Sequence, residues 1–286
     1  MNILERLAQE FHLKLEQVEK TVALIDEGNT IPFIARYRKE VTGSLDDNVL
    51  RDLNDRLNFL RNIEKRKQEV SDLITAQEKM TPEIQAAIDA AQTITEVDDI
   101  YRPFRPKRKT RASVARERGL EPLAELLLAQ EKTYDPAIEV QAEAYVDPEK
   151  EVNTVEEALQ GASDIIAEDL SDDADIRKAL RELISRKAVL TCTAEDPEAD
   201  SVYRLYYEFS QPISRLLDHQ ILAINRGEKE GILKSAIALP GNEGAALVCR
   251  AALKPTLHVS AFVRAAAEDA YDRLIFPSVQ REVRSD

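Results

Sequence analysis

Leucines at positions 50, 53, 57 and 60 keep a 3-4-3 spacing, and after the charged interruption Glu64-Lys65-Arg66-Lys67 the rhythm resumes at Val70, Leu73 and Ile74. Ser44, Asp46 and Asp47 stand ahead of this run as N-capping groups, so the spacing predicts one long helix to about residue 79. The pattern reads as a helical hairpin arm. The composition agrees: there are 8 glycines in 286 residues, aromatics are 5% and tryptophan is absent, which favours helices over a strand-rich sandwich or barrel. The expectation is a mainly α, multi-helical chain.

Shorter helices flank the arm. Ile3, Leu4, Leu7, Ala8 and Phe11 form one apolar stripe and Leu15, Val18, Val22 and Ile25 a second, with Gly28 as a C-cap and Pro32 in the next first turn. Thr81-Pro82-Glu83 opens a helix through Ala91, and further helices begin near Thr95, Gly119, Asp135-Pro136, Asp147-Pro148 and the capping box Thr154-Val155-Glu156-Glu157. Ser171-Asp172-Asp173 caps another, to about Lys187. Residues 188–193 then read as a strand and 194–200 as an acidic linker. Residues 232–239 and 245–251, either side of Pro240-Gly241-Asn242-Glu243-Gly244, read as a small β-hairpin near 232–251, and 257–283 is helical again. The chain therefore divides into an N-terminal helical region with the arm (1–95), a helical region with a basic loop and acidic helices (96–190), and a small mixed region with a C-terminal helix (191–286).

Charge is segregated along the chain. The net charge is −14, yet residues 135–175 hold fourteen acids against the single base Lys150, and residues 101–118 hold eight bases against the single acid Glu117. Many of the acids sit in first helical turns, where the helix dipole favours them. The basic block contains Tyr101, Arg102, Phe104, Arg105, Lys107, Arg108, Lys109 and Arg111, with Pro103 and Pro106 limiting helix formation. Arginine and lysine neutralise backbone phosphates, and an unstacked base can lie on tyrosine or phenylalanine. The equally weighted alternative is a loop clamped against the chain's own acidic helices. A second basic element, Arg36, Arg38 and Lys39 around Tyr37, has the same ingredients, although Tyr37 could equally be a core residue.

Catalytic motifs are missing. No GxxxxGK[ST], GxGxxG after a strand, HExxH or GxSxG occurs, and His12, His219 and His258 are scattered, so the expectation is a protein that is not an enzyme and takes no cofactor or metal. Cys192 and Cys249 lie far apart without CxxC spacing, which fits a reducing, cytoplasmic compartment, and no stretch of about 18 apolar residues suggests a membrane span.

Four ordered blocks carry a family resemblance: IPFIARYRKEVTG at 31–43, DIYRPFRPKRKTRA at 99–112, ARERGLEPLA at 115–124 and ILAINRGE at 221–228. They resemble the Tex family of bacterial transcription accessory proteins. The resemblance implies a cytosolic factor that binds nucleic acid, related to a eukaryotic transcription elongation factor that also chaperones histones, and it implies a helix-turn-helix-like region within the helical part. It also implies that a ribonuclease-H-like domain of YqgF type, helix-hairpin-helix elements and an OB-type RNA-binding domain lie beyond these 286 residues. The family's main nucleic-acid contacts are attributed to that OB-type domain, so weak, non-specific RNA or DNA binding is expected of this part. Arg215 to Gln220 departs from the family pattern, which has a proline and a basic residue ahead of the last block. The alternative is a scaffold that docks on RNA polymerase or on the missing domains.

Overall fold

The computed structural model describes residues 2–130, 138–254 and 260–285. The helix start expected at Asp135-Pro136, and His258, lie outside the described residues. The chain forms two compact units, Met1–Tyr101 and Arg102–Asp286.

The first unit is built on the arm. Helices α1 (Ile3–Glu10), α2 (Leu15–Asp26), α3 (Ile31–Tyr37) and α4 (Lys39–Thr42) precede α5 (Asp47–Ala76), followed by α6 (Pro82–Ala90) and α7 (Ile94–Tyr101). The Asp46 carboxylate accepts from the Val49 amide to cap α5, whose thirty residues span about 45 Å. Leu53, Leu57 and Leu60 of α5 pack with Leu7, Val18 and Val22 of α1 and α2, while Leu50 packs with Ile34 of α3 and with Leu45. Gly28, at φ +84°, makes the left-handed turn out of α2.

The charged interruption in the leucine rhythm has a structural cause. Arg66 Nε donates to Asp98 of α7 at 2.7 Å, and Lys67 Nζ donates to the carbonyl of Asp89 in α6 at 2.8 Å. The far half of α5 is thus held by polar contacts as well as by buried Ile63, Val70 and Ile74.

The second unit surrounds one central helix. Its elements are α8 (Arg111–Glu117), α9 (Glu121–Ala129), α10 (Ile138–Ala142), α11 (Val155–Asp172), α12 (Ala174–Lys187), β1 (Val189–Ala194), β2 (Glu208–Pro212), α13 (Asp218–Lys229), β3 (Leu233–Ala238), α14 (Glu243–Ala252), α15 (Ser260–Asp269) and α16 (Phe276–Ser285), with a π-helical turn Ala270–Ile275 joining the last two. Helix α11 packs against α8, α9, α10, α15 and the π turn. Small residues allow this crowding: a Cβ on Gly161 would run into Leu120 Cδ1 and lie 3.2 Å from the Cβ of Ala115. A single buried core links Leu120 and Leu123 through Ile165 and Ile166 to Leu190, Cys192, Val248 and Val263, so it continues across residue 190.

The three strands form an antiparallel sheet in the order β2-β1-β3, with Leu190 opposite Gln211 on one side and Ile237 on the other. This corrects the hairpin expected near 232–251. β3 pairs with β1, and 243–252 is helix α14 rather than a returning strand. The residues there are alanine-rich, and the buried set Gly244, Val248, Cys249 and Ala252 recurs at helical spacing, so propensity and burial agree on a helix. β2 supplies the partner strand on the other edge of β1.

Candidate functional site

The basic segment of the second unit is a stiff turn. A short 3-10 helix, Arg102–Phe104, leads into Arg105-Pro106, where the proline keeps the preceding residue out of helical geometry. The turn ends in a reciprocal cap: Thr110 Oγ1 accepts from the Ser113 amide at 3.0 Å, and Ser113 Oγ accepts from the Thr110 amide at 2.8 Å. Helix α8 therefore starts at Arg111, with the cationic side chains on a backbone fixed at both ends.

Two of these cations tie the turn to α11. Arg102 Nε donates to Asp172 at 3.0 Å, and Lys107 Nζ contacts both Asp172 and, at 3.1 Å, Glu168. Arg116 of α8 completes the cluster, donating to Glu168 at 2.7 Å and to Asp169 at 2.5 Å. Burial pushes the Glu168 carboxyl up, but Arg116 and Lys107 outweigh it and hold the group below its ordinary value. Part of the basic segment is thus an internal clamp, and part of the acidic segment is its counter-charge. Other acids do capping work: Asp173 accepts from the Ile176 amide to start α12, and Glu157 accepts from the Asn153 amide at 2.7 Å.

The remaining cations face outward. Arg108, Lys109 and Arg111 are exposed, and none makes an ion pair among the described residues; Arg105 is exposed as well, and Phe104 is half-buried. Tyr101 belongs to the first unit, where it is 7% exposed with the Arg66 guanidinium 5.9 Å from its ring centroid. It offers no stacking face. The second basic element, also in the first unit, is more open. Tyr37 is 56% exposed, its ring lies 5.3 Å from that of Phe33, and Arg38 sits 5.0 Å over Phe33 while Arg36 and Lys39 project from the surface.

The turn also walls a pocket of about 350 Å³ that reading along the chain did not anticipate. Arg273 of the π turn and Ser278 and Arg281 of α16 join Arg102, Arg105 and Lys107 there. No local motif marks these late residues; only the packing of the π turn on α11 and of α16 on α12 brings them to the turn. Among the described residues, no group of three or more histidines, cysteines or carboxylates is arranged to hold a metal ion, and no helix is long and apolar enough to cross a membrane.

A mainly helical chain with a central helix, a small antiparallel sheet and a tethered basic turn is the class that this fold defines. The profile described as Tex central region-like matches residues 132–283, and that described as the Tex-like protein N-terminal domain matches residues 1–75. The chain belongs to the Tex family. It is 40% identical over 286 residues to YdcI of Bacillus subtilis strain 168, covering 99% of this chain and 40% of that protein. It is 38% identical over 239 residues to the transcriptional accessory protein Tex of Neisseria gonorrhoeae, covering 83% of this chain and 31% of that protein. It is also 29% identical over 283 residues to human S1 RNA-binding domain-containing protein 1, covering 92% and 28% respectively. The chain spans 40% or less of the length of these relatives.

Proposed function

We propose that this chain is a non-enzymatic, nucleic-acid-associated part of a transcription accessory factor, acting in the cytoplasm and contacting backbone phosphates weakly and with little sequence preference. The observation that carries the reading is the exposed trio Arg108, Lys109 and Arg111 on a turn that two further cations, Arg102 and Lys107, anchor to α11. Preorganised cations lose little freedom on meeting a phosphate, and the contact is sequence-blind because every phosphate is alike. The names of two relatives, one a transcriptional accessory protein and one an S1 RNA-binding domain-containing protein, support the same direction. Arg36, Arg38 and Lys39 beside exposed Tyr37 supply a second contact of the same kind, with stacking added.

The test is fluorescence anisotropy of labelled single-stranded RNA and duplex DNA over a salt series, with Arg108→Glu/Lys109→Glu as the variant. This pair leaves the anchors Arg102 and Lys107 intact. Binding with a logarithmic salt slope of about −2 for single strands, reduced in the folded variant, is the expected result. A wild-type chain that binds neither probe at low salt sinks the reading.

A second reading is favoured by Val202 and Leu205, each 88% exposed: a scaffold that docks on RNA polymerase or another protein through apolar surface. Such docking would resist salt, and Val202→Asp/Leu205→Asp would abolish polymerase capture without changing anisotropy.

A further inference from the structure

The two outer edges of the three-stranded sheet are finished differently. The Ile213 amide donates to the Ala188 carbonyl at 2.9 Å, in register with the β1–β2 pairing, and the Glu195 amide donates to the Ile232 carbonyl at 2.9 Å, in register with β1–β3. Antiparallel ladders bond every second residue, so Leu190 bonds Gln211 and Cys192 bonds Phe209 on one side, while Thr191 bonds Ala236 on the other. The backbone groups of Ser235 and Ile237 therefore turn outward from β3, and those of Ser210 outward from β2. Side chains occupy the β3 edge: Glu228 Oε1 accepts from the Ser235 amide at 2.9 Å, and Gln280 Nε2 donates to the Ile237 carbonyl at 3.0 Å. On β2, neither the amide nor the carbonyl of exposed Ser210 has a partner among the described residues.

An open strand edge is a template for a further strand. The surroundings of β2 say which kind. Residues 195–212 contain the acids Glu195, Asp196, Glu198, Asp200 and Glu208 against the single base Arg204, which already donates to Asp200 at 3.4 Å. Glu195, Asp196, Glu198 and Glu208 are exposed and make no ion pair among the described residues. The short turn Arg204–Tyr206 leads into β2, with the Tyr206 ring 5.4 Å from that of Phe209, and Val202 and Leu205 there are each 88% exposed. A second copy of the chain would set these carboxylates against themselves, which like charge disfavours, whereas a basic strand meets opposite charge. Pro212 ends β2, so the edge accepts only a short strand, and apolar contacts must add to its hydrogen bonds. We propose that β2 is a docking edge for an extended, lysine- or arginine-rich segment of a partner protein, paired through the Ser210 backbone and seated on Val202 and Leu205. The proposal rests on the scaffold reading above and gives it a binding mode; it is independent of the nucleic-acid reading.

The probe is a fluorescently labelled eight-residue peptide of alternating lysine and valine. It is titrated with the chain and with Ser210→Pro, Ser210→Ala and Val202→Asp/Leu205→Asp, and circular dichroism and melting confirm the fold of each. Because the Ser210 amide points away from β1, proline there removes only an outward donor. Ser210→Ala should bind as the wild type does, Ser210→Pro and the double variant should each lose about 10-fold, and added salt should weaken the complex. Amide exchange at Ser210, followed by NMR in the wild-type chain, should slow when the peptide is added, a readout that needs no variant to fold. If Ser210→Pro keeps full affinity and the Ser210 amide gains no protection while Val202→Asp/Leu205→Asp loses the peptide, strand pairing is wrong and apolar docking stands. A wild-type chain that ignores the peptide sinks the proposal, and polymerase capture then judges the scaffold reading separately. A glutamate–valine peptide bound equally well would overturn the charge assignment. Sedimentation showing a dimer that Ser210→Pro abolishes would make a second copy the occupant and overturn the basic partner.

Discussion

Arg102 and Asp172, 70 residues apart in the chain, meet at 3.0 Å, and the same carboxylate also receives Lys107. The pairing joins the basic turn to the end of the central helix. Asp172 is nearly buried, so its charge is compensated by these two cations rather than by water. Asp172→Asn should therefore lower stability by about 1–3 kcal/mol, a melting shift of several degrees for a unit of this size. The same substitution removes a negative charge from beside Arg102 and Lys107, so oligonucleotide affinity should rise about 2- to 5-fold as melting temperature falls. Calorimetry and anisotropy on one preparation check both. A fall in both quantities would mean that the clamp positions the turn for binding rather than competing with the ligand.

Gly161 marks a close approach of Leu120 and Ala115 to α11. An alanine there would press its Cβ into Leu120 Cδ1 and against Ala115, which are themselves buried in α8 and the start of α9. Helix propensity alone would favour Gly161→Ala by about 1 kcal/mol, but overpacking costs about 1–3 kcal/mol, so net destabilisation is expected. Gly161→Val should be worse. Chemical denaturation of the two variants orders them, and an alanine variant more stable than wild type would show that Leu120 moves aside freely.

The sequence was most legible where local chemistry and burial agreed. The arm, the Thr81-Pro82 and Thr154 starts, Asp173 as a cap and the strand after residue 188 all rest on side chains that act on their own backbone or on a clear apolar period. The hairpin failed because Ala245 to Ala251 is apolar in both readings, and only its partner, or lack of one, decides between strand and helix. β2 was invisible for the converse reason: Glu208, Ser210 and Gln211 are polar and only Phe209 packs inward, so little distinguishes it from a loop. At the candidate site, the cationic turn was evident from residues 102–111, but its division into anchors and exposed contacts depends on α11, and Arg273 and Arg281 arrive through tertiary packing alone. Arg177 is the sharpest case. It sits in an ordinary amphipathic helix sequence and is 0% exposed.

Acid should loosen the first unit through Glu10. Its carboxylate receives Arg56 in a bidentate pair at 2.6 and 2.8 Å and Arg6 at 2.9 Å, and the Arg56 hydrogen bonds, against some desolvation, hold its pKa at about 2 rather than 4.5. Because the folded value is depressed, the stabilisation is complete above about pH 4.5 and is lost as pH falls through 2. The pair is about one-third exposed, so screening reduces its contribution to about 1 kcal/mol. Glu10→Gln should cost that amount at pH 7 and almost nothing at pH 2, as read from urea midpoints. A cost that does not vary with pH would assign the effect to packing instead.

Neither cysteine should react in the folded chain. Burial pushes the Cys192 thiol up, with the Glu228 charge adding to it, and burial pushes the Cys249 thiol up likewise, so little thiolate exists at neutral pH and access is closed. A colorimetric disulfide reagent at pH 7.5 should label neither thiol within minutes in buffer and both in denaturant. Rapid labelling of Cys192 in buffer would show that the sheet opens locally without global unfolding.

Glu282 fastens the last helix. It accepts from fully buried Arg177 of α12 and, at 3.3 Å, from Arg181, while Ser278 Oγ lies 3.2 Å from Arg177. Arg177 also reaches the Ser171 carbonyl at 3.4 Å, so one guanidinium joins α11, α12 and α16. Neutralising Glu282 takes a carboxylate away from a fully buried guanidinium, a loss of about 2–4 kcal/mol. Glu282→Gln should therefore lower the melting temperature of the second unit, and Arg177→Met, which removes the cation while roughly keeping volume, should be milder than Glu282→Gln. A Glu282→Gln variant that melts as the wild type does would show that the helix stays docked without this pair.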